Sequence, residues 1–139
     1  MRDVNQVTGE IVDASYRLHT RLGPGLMEQV YQALLAKSLQ ERGLKVEVER
    51  VVSFELDGMR FDRAFRVDLL VEGRVIVELK SVEKLAPVHS KQLLTYLRLL
   101  NLPVGLLINF GAVRMKEGVH RIANSHPSPV RVIHEDRAA

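Results

Sequence analysis

Two stretches of alternating apolar residues flank Glu72-Gly73, and their side-chain parity limits what the chain can fold into. In a strand, neighbouring side chains take opposite faces. Ahead of the turn the odd positions are Phe61, Arg63, Phe65, Val67 and Leu69, apolar except for one. The even positions are Asp62, Ala64, Arg66, Asp68 and Leu70. Beyond the turn, Val75, Val77 and Leu79 alternate with Arg74, Ile76, Glu78 and Lys80. If the odd faces of both strands cover one core, Asp68, Glu78 and Lys80 share the other face. A two-residue turn at Glu72-Gly73 would set Asp68 opposite Val77, on the wrong face. A three-residue loop, Val71-Glu72-Gly73, pairs Leu70 with Arg74 and Asp68 with Ile76, and puts Gly73 in the left-handed position such a loop needs. Asp68 and Glu78 are then diagonal neighbours within reach of a shared ion. A slip of one residue would bury the charges and expose the valines.

Two adjacent carboxylates resist ionising together unless a cation sits between them. Magnesium takes oxygen ligands, usually one or two carboxylates plus water and substrate phosphate. A neighbouring ammonium can hold a phosphate oxygen or orient an attacking water. The competing reading is a half-solvated hairpin with incidental charges.

Val4–Leu22 reads as an amphipathic helix, with Val4, Val7, Ile11, Ala14, Leu18 and Leu22 at helical spacing. Gly23-Pro24-Gly25 stops it. A second helix is expected over residues 26–42, with Val30, Leu34, Leu35 and Leu39 inward and Gly43 ending it. Glu28 in its first turn complements the helix dipole, and Tyr31 one turn on suits core packing with a satisfied hydroxyl. Val46–Leu56 alternates as a strand, with Val46, Val48, Val52, Phe54 and Leu56 on one face, and Asp57-Gly58 signals a hairpin into the strand carrying Asp68. The middle of the chain is therefore a three-strand antiparallel meander.

Pro87 suits a first helical turn, and a third helix runs to about Asn101 with Leu93, Leu94, Leu97 and Leu100 as its buried stripe. Gln92 and Tyr96 lie one turn apart on another face, where they would stack on each other. His89 falls beside them and reads as a surface residue. The continuous apolar run over residues 104–110 suits a strand buried on both faces, and strand–helix–strand order implies a parallel pairing. Residues 113–122 read as a final strand with a turn or bulge near Glu117-Gly118. Residues 124–129 have linker composition, and residues 130–139 either add an edge strand or hang free.

Asp68 with Glu78-Leu79-Lys80 resembles the D…(D/E)xK signature of the PD-(D/E)xK nuclease superfamily, with Val67 where a proline is usual. Gly25, Glu28 and Tyr31 resemble the more specific GxxExxY signature of a family of small bacterial proteins placed in that superfamily. Leu22-Gly23-Pro24-Gly25-Leu26 and Asn109-Phe110-Gly111 look like that family's LGPGL and NFG stretches, and Gly118 and Arg121 match its Gly and Arg. Gln92-x-x-x-Tyr96 resembles the QxxxY element of RecB-like nucleases. The resemblance covers residues 11–122. It implies a restriction-endonuclease-like α/β fold, a mixed sheet flanked by helices in the order helix, helix, three antiparallel strands, helix, strand, strand. It implies a metal-dependent nuclease in which Asp68, Glu78 and the Leu79 carbonyl ligate Mg2+ or Mn2+. Glu28 would join the ion directly or through water. Lys80 would orient the attacking water, and Gln92 and Tyr96 would position substrate.

Other chemistries lack their motifs. There is no GxxxxGK[ST] loop and no GxSxG elbow, and the five histidines show no HExxH or HxH spacing. The absence of cysteine excludes disulfides and fits a cytoplasmic setting, and no apolar run reaches the length of a membrane span. A net charge of +3 permits a nucleic-acid partner without demanding one. The expected organisation is a nuclease-like domain over residues 1–123 and a linker and tail over 124–139. The expected partner is nucleic acid, DNA before RNA, with a homodimer as one way to grip a duplex. The alternative is a non-catalytic nucleic-acid-binding or regulatory module on the same fold.

Overall fold

The computed structural model describes residues 2–134. Its elements run α1 (Val4–Leu22), α2 (Glu28–Glu41), β1 (Val46–Leu56), β2 (Met59–Val71), β3 (Val75–Lys80), α3 (Pro87–Leu100), β4 (Val104–Asn109), α4 (Met115–Gly118), β5 (Val119–Ala123) and β6 (Arg131–Ile133). The strands form one mixed sheet in the order β5-β4-β3-β2-β1-β6. β1, β2 and β3 make the antiparallel meander, and β3 pairs with β4 in parallel across α3. This is the restriction-endonuclease-like architecture that the sequence implies. β6 returns the chain to the sheet beside β1; the last expected residues, 135–139, lie outside the described residues.

Local signals explain the helix bounds. Asp3 accepts from Gln6 N at 2.8 Å while the Gln6 side chain accepts from Asp3 N, a reciprocal cap for α1. At α3 the Nδ1 of His89 accepts from Ala86 N at 3.1 Å, so His89 serves as a cap. The sheet separates two cores. α1 and α2 cover one face with Ile11, Tyr31, Leu35 and Leu39 against Leu69, Val77, Leu79 and Ile108. α3 covers the other with Leu93 and Leu97 against Val67, Leu70, Ile76 and Leu107. Gly105 lets α3 close in, because a Cβ there would stand 3.0 Å from a methyl of Leu93.

The structure corrects several expectations. On α2 the inward stripe is Tyr31, Leu35, Ala36 and Leu39, whereas Val30 and Leu34 are 42% and 37% exposed. The helix begins at Glu28, so its inward arc is set by Tyr31 rather than by the aliphatic run. Leu94 and Leu100 on α3 are only half-buried, and Leu22, Val48 and Leu56 are exposed. The expected final strand is instead the short helix α4 followed by β5, because Gly118 must pass so close to the Asn109 carbonyl that a Cβ would overlap it.

The β2–β3 register also differs. Leu70 pairs with Ile76 and Val71 with Val75, so the loop is Glu72-Gly73-Arg74. Glu72 and Gly73 have φ of 55° and 63°, and Arg74 N donates to Val71 O. Two contacts draw the turn into this form: Glu72 exchanges bonds with Lys45, and the Arg74 guanidinium donates to Arg2 O at 2.7 Å. Continued by one residue, the register puts Asp68 opposite Glu78 rather than diagonal to it. Strict alternation also breaks on β2, since Phe65 and Val67 pack on the α3 side and Leu69 and Val71 on the other. The switch falls at Asp68, across from Glu49, whose φ of 52° is left-handed.

The α2 assignment is tested by truncation. Leu35→Ala should cost roughly 2–5 kcal/mol in urea unfolding, as for a buried leucine, and Leu34→Ala about 1 kcal/mol or less. Equal costs would return the inward stripe to the aliphatic run.

Candidate active site

Glu78 and Lys80 project from the end of β3 on the face covered by α3, and Asp68 meets them from β2. Asp68 Oδ2 accepts from Leu79 N at 2.8 Å, which fixes the aspartate against β3. Its side chain also hydrogen-bonds Glu78. Glu78 is buried, and among the described residues its Oε1 has no hydrogen-bond partner. Burial first, then the hydrogen bond and charge of Asp68, push the Glu78 carboxyl up to about 9, against the opposing pull of Lys80. A carboxyl raised this far keeps its proton at neutral pH.

Tyr96 reaches this pair from α3. Its phenol is raised by burial and then by the charges of Glu78 and Asp68. Its ring stacks on Phe65 at 4.4 Å and 12°, not on Gln92, which is exposed one turn earlier. The structure therefore gathers Asp68, Glu78, Leu79, Lys80 and Tyr96. Gln92 stands at the rim.

Glu28 arrives from the opposite layer. It is the first residue of α2, is exposed, and lines a cleft of about 710 Å³ with Gly25, Ser81, Val82, Glu83 and Gly111. The turn before it is held on both sides. Tyr31 Oη donates to Gly23 O at 2.6 Å and accepts from Leu26 N, and Ser81 Oγ donates to Leu26 O at 2.5 Å. These contacts give the Gly25, Glu28 and Tyr31 spacing a physical reason: the buried tyrosine ties down the turn that sets Glu28 beside the end of β3. Among the described residues no third Asp, Glu, His or Cys joins Asp68 and Glu78 to complete a metal cage. Two carboxylates are nonetheless the usual protein share of a magnesium site, water and substrate supplying the rest. The unpartnered Glu78 Oε1 is the atom such a cation would satisfy, so the residues fit.

The comparisons with known proteins can be set against this geometry. A family model described as the PD-(D/E)XK nuclease superfamily matches residues 5–122. The chain belongs to that superfamily. The match runs from α1 to β5 and includes every site residue named above. No curated protein and no solved structure matches the chain. Membership carries a nuclease-type function at the level of the superfamily, whose members generally use divalent metal ions on nucleic acid. Among the described residues no helix is long and apolar enough to cross a membrane.

Sequence reasoning missed Phe65, Ser81 and Asn109. Phe65 had only its place in an alternating strand, with nothing to link it to Tyr96. Ser81 follows Lys80 directly but has no motif. Asn109 lay in the NFG stretch without a role.

The raised Glu78 carboxyl has a consequence for stability. Between about 4.5 and about 9 the folded chain holds a proton that the unfolded chain has lost, so stability falls as pH rises across that window. Unfolding in EDTA should show a fall on the order of several kcal/mol from pH 5 to pH 9, with Glu78→Gln flattening most of it. A wild-type profile that is already flat would contradict the buried, protonated Glu78.

Proposed function

We propose that this chain is a divalent-cation-dependent nuclease of the GxxExxY type that hydrolyses phosphodiester bonds in nucleic acid, DNA before RNA. One observation carries the reading: the buried Glu78, paired with the half-buried Asp68, keeps an oxygen without a partner among the described residues, on the strand face that also carries Lys80. A site built only for stability would pair that oxygen or replace it with an apolar group.

Asp68, Glu78 and the Leu79 carbonyl would hold Mg2+, with Mn2+ able to substitute. The ion, when bound, supplies a water of lowered pKa and offsets charge on the phosphate. Holding the ion requires Glu78 to give up its proton, and Lys80 favours that ionisation. The Lys80 ammonium then orients the attacking water and faces the charge that develops on the phosphoryl oxygens. Tyr96, kept in place by Phe65, presents its hydroxyl to the carboxylate pair and positions substrate with Gln92 at the rim. Glu28, standing apart from the pair, acts through water. A net charge of +3 attracts a duplex only mildly, and a homodimer would enlarge the surface that grips it.

Labelled linear and circular DNA, with RNA alongside, tests the reading in Mg2+, Mn2+ and EDTA. Cleavage should need the cation and should fall roughly 100-fold or more in Asp68→Ala and Lys80→Ala. Nicking of circular substrate would indicate endonuclease action. Nucleic-acid binding without cleavage by the wild type, unchanged in both variants, would instead favour the binding module.

A further inference from the structure

The backbone ladder between β3 and β4 ends where Lys80 pairs with Asn109, and Phe110 N donates to Lys80 O at 2.8 Å. Beyond that rung the chain leaves the sheet. The Asn109 side chain continues the ladder by one step. Its Oδ1 accepts from Val82 N at 3.0 Å and its Nδ2 donates to Val82 O at 2.8 Å. The same Oδ1 accepts from Gly111 N at 3.0 Å. Only a carboxamide offers a donor and an acceptor in this spacing.

Close backbone surrounds the amide. Asn109 is buried. A Cβ on Gly111 would overlap the Val82 backbone, and one on Gly118 would overlap the Asn109 carbonyl. Two glycines thus admit backbone on both sides of one asparagine. Phe110 stacks on Tyr31 at 4.4 Å, and Tyr31 holds the turn that Ser81 also grips through Leu26 O. Residues 80–82 are therefore bonded at each step: Lys80 by Phe110 N, Ser81 by Leu26 O, Val82 by Asn109.

We propose that Asn109 is the positioning residue for Lys80, holding the chain just past the lysine so that its side chain stays on the face that carries Asp68 and Glu78. The idea rests on the nuclease reading for its kinetic consequence but not for its geometry. A purely structural amide would cost stability wherever it sits; a positioning amide should move Lys80 in particular.

Two readouts separate these. In protein labelled at lysine 13Cε, with the Lys80 signal assigned by Lys80→Arg, Asn109→Ala should shift that signal to the value of exposed lysines. In the cleavage assay the same variant should lower kcat roughly 10- to 100-fold, as a misplaced group does, while KM stays within about twofold. Gly111→Ala leaves Asn109 in place but displaces Val82, and should reproduce both effects. Asn124→Ala is the control, since its amide bonds Leu97 O and Leu102 O away from the site and should move neither readout. An unmoved Lys80 signal in both Asn109→Ala and Gly111→Ala overturns the proposal, as does an equal fall in kcat for Asn124→Ala. Failure of the nuclease reading looks different: the wild type cleaves nothing, yet the Lys80 signal still moves in Asn109→Ala.

Discussion

Asp68 and Glu78 face each other across one antiparallel hairpin, and two carboxyl groups so placed cannot both ionise in a buried setting without a cation. The tension shows in the surroundings of Glu78: burial and then Asp68 push its carboxyl up to about 9, and its Oε1 has no partner among the described residues. The protein holds this arrangement only because the hairpin is pinned by apolar layers on both sides. Leu69, Val77 and Leu79 anchor it to α1 and α2, while Val67, Leu70 and Ile76 anchor it to α3. Burial of each such side chain is worth about 1.5–3 kcal/mol, so the combined apolar term exceeds the cost of one protonated carboxyl pair.

The layers contribute differently to the site. α3 brings Tyr96 to the carboxyl pair, with its ring set by Phe65. α2 lies on the other face and can reach the site only around the end of β3. That route explains why so many contacts converge on the turn before Glu28, whose Gly23 and Leu26 carbonyls accept from Tyr31 and Ser81, and on residues 80–82, where Asn109 pairs the Val82 backbone that the sheet no longer pairs. Backbone groups that leave regular structure need such partners, and here they come from side chains near Lys80.

Much of the fold was legible from residue pattern. The bounds of α1 and β1 follow from local chemistry, a helix-stopping Gly23-Pro24-Gly25 and the Asp57-Gly58 turn, and the parallel pairing of β3 with β4 follows from handed connection rules. The inward face of α2 was not, because Val30, Leu34, Leu35 and Leu39 make as good a helical stripe as Tyr31, Leu35, Ala36 and Leu39. Nor was the change of face at Asp68, since a left-handed Glu49 leaves no mark in the sequence. Lys45 and Arg2, far along the chain from the β2–β3 loop, set the register that two-residue and three-residue loop rules could only bracket.

Side-chain spacing alone put Asp68, Glu78 and Lys80 on one face, because strand parity survives a shift of two residues in register. Local pattern cannot say that Glu78 is buried, that one of its oxygens is unpartnered, or that Tyr96 stacks on Phe65 rather than Gln92. Those depend on which layers close over the sheet. Desolvation and hydrogen-bond partners are properties of the packed surroundings, supplied by residues distant in sequence, and only folding brings them together.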